Sequence, residues 1–216
     1  MRVETLVRYA IGAGPSMADP FRFGAVILAA GASVRMGTPK QILAVGGKPL
    51  VVRAAEAALD SPAWPVVVVV GAHAEAIRPL LARLPVLVAE NASWPEGMAS
   101  SIRTGVGVLD RFSRSLDGVL LAVCDQTAFS GKVIARLLEA QQTTGRTIAA
   151  AHYGGRNGVP ALFLRTHFAS LGRMIGEEGA RSLLNGDPER VAAVDLPDLA
   201  ADLDTPEDYA ALGEAR

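Results

Sequence analysis

Apolar residues in this chain gather in short runs bounded by turn residues, at positions 25–29, 65–70, 85–89, 118–124, 147–151, 160–164 and 191–196. The runs PVVVVV at 65–70 and GVLLAVC at 118–124 are continuous rather than alternating. A strand with one buried face alternates, whereas a strand covered on both faces does not, so these two runs predict central strands of a parallel sheet. Between the runs the pattern turns helical. Segment 49–59, PLVVRAAEAAL, opens on a proline suited to a first helical turn and carries an apolar stripe. Segments 74–84, 100–109, 132–142 and 178–184 repeat that pattern. Pro206 opens a last predicted helix through 212, with Thr205 as its N-cap.

Strands alternating with helices imply right-handed crossovers and helices on both faces of a sheet. The expected fold is therefore α/β, a single-domain, three-layer α/β/α Rossmann-like architecture with a mostly parallel central sheet. No linker, repeat or low-complexity segment interrupts it. Residues 23–216 read as the domain and 1–22 as an N-terminal extension, disordered or appended, with Met17 as an alternative start. In such folds ligands bind outside the carboxyl ends of the strands, so functional loops should directly follow strands.

Composition narrows the partners. A chain of 216 residues with 50% hydrophobic residues can bury a substantial core, and with only 5% aromatics that core must be aliphatic. The 21 basic and 22 acidic side chains leave a net charge of −1, which lacks the basic excess of a nucleic-acid binder but leaves room for a local anion site. Cys124 stands alone, which rules out an internal disulfide or a cysteine zinc site and fits a reducing, cytoplasmic setting. No apolar run reaches the ~20 residues of a membrane span, and the N-terminus lacks the long apolar stretch of a secretory signal.

The first run leads into LAAGASVRMGTPKQ, residues 28–41. Gly31 and Gly37 permit conformations and close approaches that a Cβ would block. Exposed amides in such a turn form an anion-binding concavity, to which Arg35 and Lys40 add full charges while Pro39 restrains the chain. Two familiar phosphate cradles fail on spacing. A P-loop has four residues between its glycines and places Lys directly after the second, whereas here Gly37 is followed by Thr38-Pro39-Lys40. The dinucleotide fingerprint G-x-G-x-x-G fails because Ser33 occupies its second glycine. The remaining readings are a triphosphate cradle or an ordinary crossover with solvated cations.

Acidic residues follow two other runs. Asp125 comes directly after the central run 118–124, where a carboxylate faces the ligand crevice; it reads as a Mg²⁺ ligand or as a turn or cap carboxylate. In ADLDTPED, residues 201–208, extended backbone would put Asp202 and Asp204 on one side, and a capping role for the last helix is the alternative. Segment 91–101, NASWPEGMASS, lies between a run and a helix, where Ser100 and Ser101 can meet an anion or a ribose and Trp94 can anchor the loop. His73, His152 and His167 are scattered and read as structural.

LAAGASVRMGTPKQ resembles the signature loop L-[AG]-[AG]-G-x-S-x-R-M-G-x-x-K of the molybdenum cofactor cytidylyltransferases within the molybdenum cofactor guanylyltransferase-like NTP transferases. The Ala29-Ala30 pair is similar to the cytidylyltransferase branch. The resemblance covers residues 25–212 and implies that Leu28, Ala29, Ala30, Gly31, Ser33, Arg35, Gly37 and Lys40 bind the triphosphate, with Lys40, Arg35 and Asp125 in the catalytic roles. Segment 91–101 is similar to N-P-x-W-x-x-G-M-x-x-S, which places Gly97, Met98 and Ser101 at the nucleotide; Ala92 departs from the usual Pro. Asp125-Gln126 matches Asp-Gln-Pro except that Thr127 replaces Pro. The D-x-D-T-P-E-D match implies Asp204, with Asp202 as the alternative, as a second Mg²⁺ ligand. Two further stretches resemble acceptor-side loops: 154–160, with Arg156, Gly158 and Pro160, and 176–181, with Gly179 and Arg181 and with Glu177 in place of the usual Asp.

What the resemblance implies is transfer of CMP from CTP (or GMP from GTP) to the terminal phosphate of a molybdopterin-type acceptor. Pyrophosphate leaves, and a molybdoenzyme or its chaperone is the implied partner. Such a transfer needs positioning and charge neutralisation rather than a general base. Rival readings are another cytidylyltransferase, a sugar-phosphate nucleotidyltransferase, or a non-catalytic nucleotide- or cofactor-binding accessory protein. The methylerythritol phosphate cytidylyltransferases share Pro-Lys-Gln, but their longer spacing and His-Asp-Ala-Ala-Arg segment are missing here.

Overall fold

The computed structural model describes residues 20–177, 179–201, 203 and 205–214. Strand β1 (Phe23–Ala29) is buried along its whole length and lies in the interior of the sheet. A two-stranded hairpin, β2 (Ala44–Val45) and β3 (Lys48–Pro49), leads into α1 (Leu50–Leu59) and then β4 (Val66–Val70). Next come α2 (Ala74–Leu81), β5 (Leu87–Glu90), α3 (Met98–Phe112) and β6 (Gly118–Val123). The second half runs α4 (Gly131–Thr144), β7 (Ile148–Tyr153), β8 (Arg156–Leu164), α5 (Phe168–Leu171), α6 (Arg181–Gly186), β9 (Val191–Asp195) and α7 (Pro206–Glu214).

The seven main strands are ordered β5-β4-β1-β6-β8-β7-β9, with β8 antiparallel to both neighbours and the other pairings parallel. The expected mostly parallel α/β/α sheet is what forms. Side chains of β1 alternate between two cores. Ala25, Ile27 and Ala29 meet α1, α2 and α4 on one face, while Val26 and Leu28 meet α3, α5 and α6 on the other. The continuous run at 66–70 is buried at every position because both of its faces are covered. No helix among the described residues is long and apolar enough to cross a membrane.

The chain steps outward from β1 to β4 and β5, and then α3 carries it back to β6 on the other side of β1. That reversal opens a crevice between the carboxyl ends of β1 and β6. Gly105 lets α3 lie close enough to form it: a Cβ there would run into Val26 Cγ1 and sit 3.1 Å from Val69 Cγ2.

Two details differ from the sequence expectation. Helix α2 ends at Leu81 rather than at 84, soon after Pro79, whose ring removes a backbone donor and crowds the preceding turn. Residues 154–160 are not one loop. Gly154 and Gly155, at φ 56° and 74°, make a tight hairpin turn, so Arg156, Gly158 and Pro160 all lie on β8. A two-residue turn cannot carry a crossover, which is why β8 runs antiparallel. Register slips after Ala150↔Ala161 to Ala151↔Gly158, so Pro160, which has no donor to offer, falls in the irregularity. Residues 1–19 of the expected extension lie outside the described residues. Phe21 stacks on Phe23 at 5.9 Å, and Arg22 and Asp117 exchange hydrogen bonds of 2.8 and 2.6 Å.

Two predictions follow from this packing. Gly105→Ala gains about 1 kcal/mol of helix propensity but overpacks the β1–α3 contact, which costs about 1–3 kcal/mol. A net fall in the urea midpoint at unchanged slope is expected. His167 is buried, 2.9 Å from Thr147 Oγ1 and edge-on to Phe163, and burial reinforced by the charge of Arg190 holds its pKa below the usual 6.5. The native state therefore binds fewer protons than the unfolded chain. Stability should fall as pH drops below about 6.5, and urea titrations of His167→Gln should show a shallower fall over the same window.

Candidate active site at the β1–β6 crevice

Backbone and side chains shape the loop after β1 together. A 3-10 turn, Val34–Met36, is bracketed by Ser33 at φ 54° and Gly37 at φ 70°, both left-handed. A serine held there is strained, and two contacts hold it. Ser33 Oγ accepts from the Lys40 amide at 3.1 Å and donates to Gln41 Oε1 at 3.2 Å. Gln41 Nε2 then donates to the carbonyls of Ala29 (3.3 Å) and Gly31 (2.7 Å). Gln41 is almost fully buried, so its amide staples the two ends of the loop together. Met36 anchors the loop from below, packed with Leu50 and Leu203.

This staple aims Lys40 across the crevice, where its ammonium forms an ion pair with Asp125 Oδ2 at the end of β6. The pair is largely buried, with side chains 18% and 13% exposed. Asp125 Oδ1 is also buried and has no hydrogen-bond partner among the described residues. Leu203 donates its N–H to the Asp125 carbonyl at 3.4 Å, which ties the C-terminal segment to the site. Asp202 and Asp204 themselves lie outside the described residues. Among the described residues, no three His, Cys, Asp or Glu side chains form a metal cluster. Beside Asp125, burial and then the carboxylate's charge push the Cys124 thiol far up, so it stays protonated and is a poor nucleophile.

Three cavities that share lining residues lie at the Lys40–Asp125 pair. The first, about 450 Å³, is lined by Ala30, Gly31, Ser33 and Arg35 from the loop and by Gly97, Met98 and Ser101 at the start of α3. The second, about 330 Å³, takes Arg156, Asn157 and Gly158 from β8 and Arg181 from α6. A smaller one of about 140 Å³ reaches Leu28 and Ala29. Lys40 and Met98 line all three, and Asp125 lines the second and third. Gly37, Pro160 and Gly179 are not in these linings: Gly37 shapes the loop, Pro160 lies on β8, and a Cβ on Gly179 would come 2.9 Å from Met98 Sδ.

Other sequence-quoted residues find structural partners. Ser100 turns its hydroxyl inward to the Gly97 carbonyl at 2.8 Å, while Ser101 faces the first cavity. Trp94 packs against the α3-side core and borders the same cavity. His73 bonds the Ala32 carbonyl at 3.0 Å, and His152 pairs with Asn157 Oδ1 at 3.0 Å. At Thr127, where the resembled motif has proline, the carbonyl accepts from Arg53 at 3.2 Å, and a turn from Gln126 to Phe129 still forms.

Four residues have roles here that pattern reading does not assign. Besides Gln41, Asn91 donates to Ser100 Oγ (2.7 Å) and Ser101 Oγ (3.0 Å) and so orders the start of α3; its position directly after a strand was the available signal. Gln126 Nε2 donates to Tyr153 Oη, the Val159 carbonyl and the Leu199 carbonyl at 3.0–3.2 Å, joining β6, β8 and the C-terminal turn. Glu177 borders both larger cavities and packs against Gly97, whose Cβ, if present, would come 2.8 Å from Glu177 Cδ.

Several known proteins are similar to this chain. "Nicotine blue oxidoreductase" of Paenarthrobacter nicotinovorans is 34% identical over 194 residues, covering 84% of this chain and 92% of the relative. The crystal structure of Rv0371c from Mycobacterium tuberculosis H37Rv superposes with a TM-score of 0.76 at 26% identity, covering 89% of this chain and 98% of that one. Its manganese complex superposes at 0.71 and 24% identity, covering 90% and 100%. A nucleotidyl transferase from Methanothermobacter thermautotroptrophicus, Mth528, shares the fold at TM-score 0.75 and 21% identity, covering 90% and 97%. The profile of the MobA-like NTP transferase domain matches residues 25–194, and with that match over most of its length the chain belongs to the MobA-like NTP transferase family.

Proposed function

We propose that this chain is a cytoplasmic, Mg²⁺-dependent nucleotidyltransferase. It would transfer CMP from CTP to the terminal phosphate of a molybdopterin-type cofactor and release pyrophosphate. One observation carries the reading: Lys40, paired with Asp125, lines both the cavity of the β1 loop and the cavity that holds Arg156 and Arg181. That is where a triphosphate and a phosphorylated acceptor must come together.

In this reading the amides of the β1 loop, Arg35 and Lys40 grip the triphosphate, while Gly97, Met98 and Ser101 border the nucleoside. Arg156 and Arg181 hold the acceptor's phosphate from the other side. An acceptor phosphate oxygen forms a bond to the α-phosphorus as the α-phosphorus–pyrophosphate oxygen bond breaks. A phosphate is already ionised near neutral pH, so no side chain has to take a proton. The work of the protein is alignment and charge neutralisation.

The residues suit a hard cation. Asp125 offers a buried carboxylate oxygen without a partner, the donor type Mg²⁺ selects. Asp204, or Asp202, is the second ligand proposed. Bound there, the cation neutralises charge on the phosphate oxygens. The manganese complex of Rv0371c supports a divalent cation on this fold. A second reading is favoured by the name of the 34%-identical relative: the same nucleotide cleft would hold a hydride donor and reduce an organic substrate.

Pyrophosphate release in the presence of CTP, Mg²⁺ and molybdenum-loaded molybdopterin tests the proposal. Lys40→Ala and Asp125→Asn should each lower kcat/KM by about 10²–10³, and full activity in both would sink the assignment. Consumption of reduced nicotinamide with triphosphates left intact would favour the oxidoreductase reading. Gln41→Leu removes the loop staple while keeping every charge. It should raise KM for CTP about tenfold with a smaller change in kcat, as read from initial rates.

A further inference from the structure

We propose that Lys40 and Asp125 form a charge-exchange pair that makes cation binding at Asp125 conditional on a triphosphate in the neighbouring cavity. The inference rests on the nucleotidyltransferase reading and deepens it, by naming the side-chain exchange that couples cation to triphosphate at that site.

The geometry supplies both halves of the exchange. Among the described residues Lys40 is the ion-pair partner of Asp125, and it occupies Oδ2 alone. Oδ1 is left buried and unpartnered on the same carboxylate. Both side chains are mostly out of water, so their charges act at reduced dielectric. Unit charges 4 Å apart interact by about 4 kcal/mol at an effective dielectric of ~20, against about 1 kcal/mol in bulk water.

Each ligand arriving alone meets the wrong charge. A divalent cation at Oδ1 faces an ammonium already seated on the same carboxylate. A triphosphate at the β1 loop faces the Asp125 carboxylate, and Lys40 must leave its partner to reach it. When both arrive, Lys40 turns to the phosphates and the carboxylate is released to the cation. The Lys40 ammonium then faces the phosphates and the Asp125 carboxylate faces the cation, so each is answered by opposite charge. Lys40 is placed for this turn, because its side chain borders the loop-lined cavity as well as both cavities that contain Asp125.

Such coupling is reciprocal: whatever factor the triphosphate adds to cation affinity, the cation adds to triphosphate affinity. Binding alone therefore tests it, with Mn²⁺ as the probe, free ion read by electron paramagnetic resonance, and CTP followed by calorimetry. In the wild-type protein Mn²⁺ and CTP should each bind about tenfold or more tightly with the other present, beyond their affinity for each other in solution. Lys40→Met should tighten Mn²⁺ binding without nucleotide by about tenfold, and Lys40→Arg, which keeps the charge, should not. Asp125→Asn should bind metal-free CTP more tightly than wild type.

Mn²⁺ affinity that is unchanged or weaker in Lys40→Met overturns the proposal, as does metal-free CTP affinity that is unchanged in Asp125→Asn. Should a variant fail to fold, the wild-type arm still decides: equal Mn²⁺ binding with and without tripolyphosphate overturns it. Pyrophosphate release with uncoupled binding defeats the exchange but not the transferase reading, whereas coupled binding without turnover does the reverse.

Discussion

A carboxylate buried at the end of a central strand needs a cation beside it, and the placing of Lys40 against Asp125 is the contact around which this molecule is organised. It exists because the chain reverses its direction of crossover between β1 and β6, which leaves two adjacent strand ends uncovered. The loop from the first strand must bridge that gap and hold a lysine in one place. Gln41, the strained Ser33 and the apolar plug of Met36, Leu50 and Leu203 hold the loop, so the cradle, the carboxylate and the C-terminal segment behave as one unit.

Much of this was legible in the sequence wherever a physical pattern is local. PVVVVV and GVLLAVC announced strands buried on both faces, and both lie in the interior of the sheet. Gly31, Arg35, Lys40 and Asp125 stood out because charges and glycines directly after apolar runs have few structural uses. The β2–β3 hairpin and α5 were not readable, since two-residue strands and a four-residue helix carry no period. The β7–β8 turn was blurred because its glycines and Pro160 suggested one long loop. Amides escaped for a different reason: a glutamine's role depends on which acceptors it finds, and Gln126 finds one 73 residues away.

Membership of the MobA-like NTP transferase family fixes the scaffold more firmly than it fixes the reaction. A 34%-identical relative carries the name of an oxidoreductase, so the scaffold does not by itself decide the reaction. The physical reason is visible in the two main cavities. The first is built largely from the β1 loop and the start of α3, while most of the distinctive side chains of the second come from β8 and α6.

The antiparallel hairpin of β7 and β8 has a consequence for how such a protein can diversify. Its tip, Gly154-Gly155, is a closed two-residue turn, and Arg156 and Asn157 follow it on a strand whose far end is tied into the sheet at Leu162–Leu164. Substitutions near the tip can reshape one wall of the crevice without altering a single crossover of the parallel half. The hairpin is a replaceable tool head on a fixed handle. New recognition can be tried there at small risk to folding, so long as the lysine and the carboxylate at the base of the crevice stay in register.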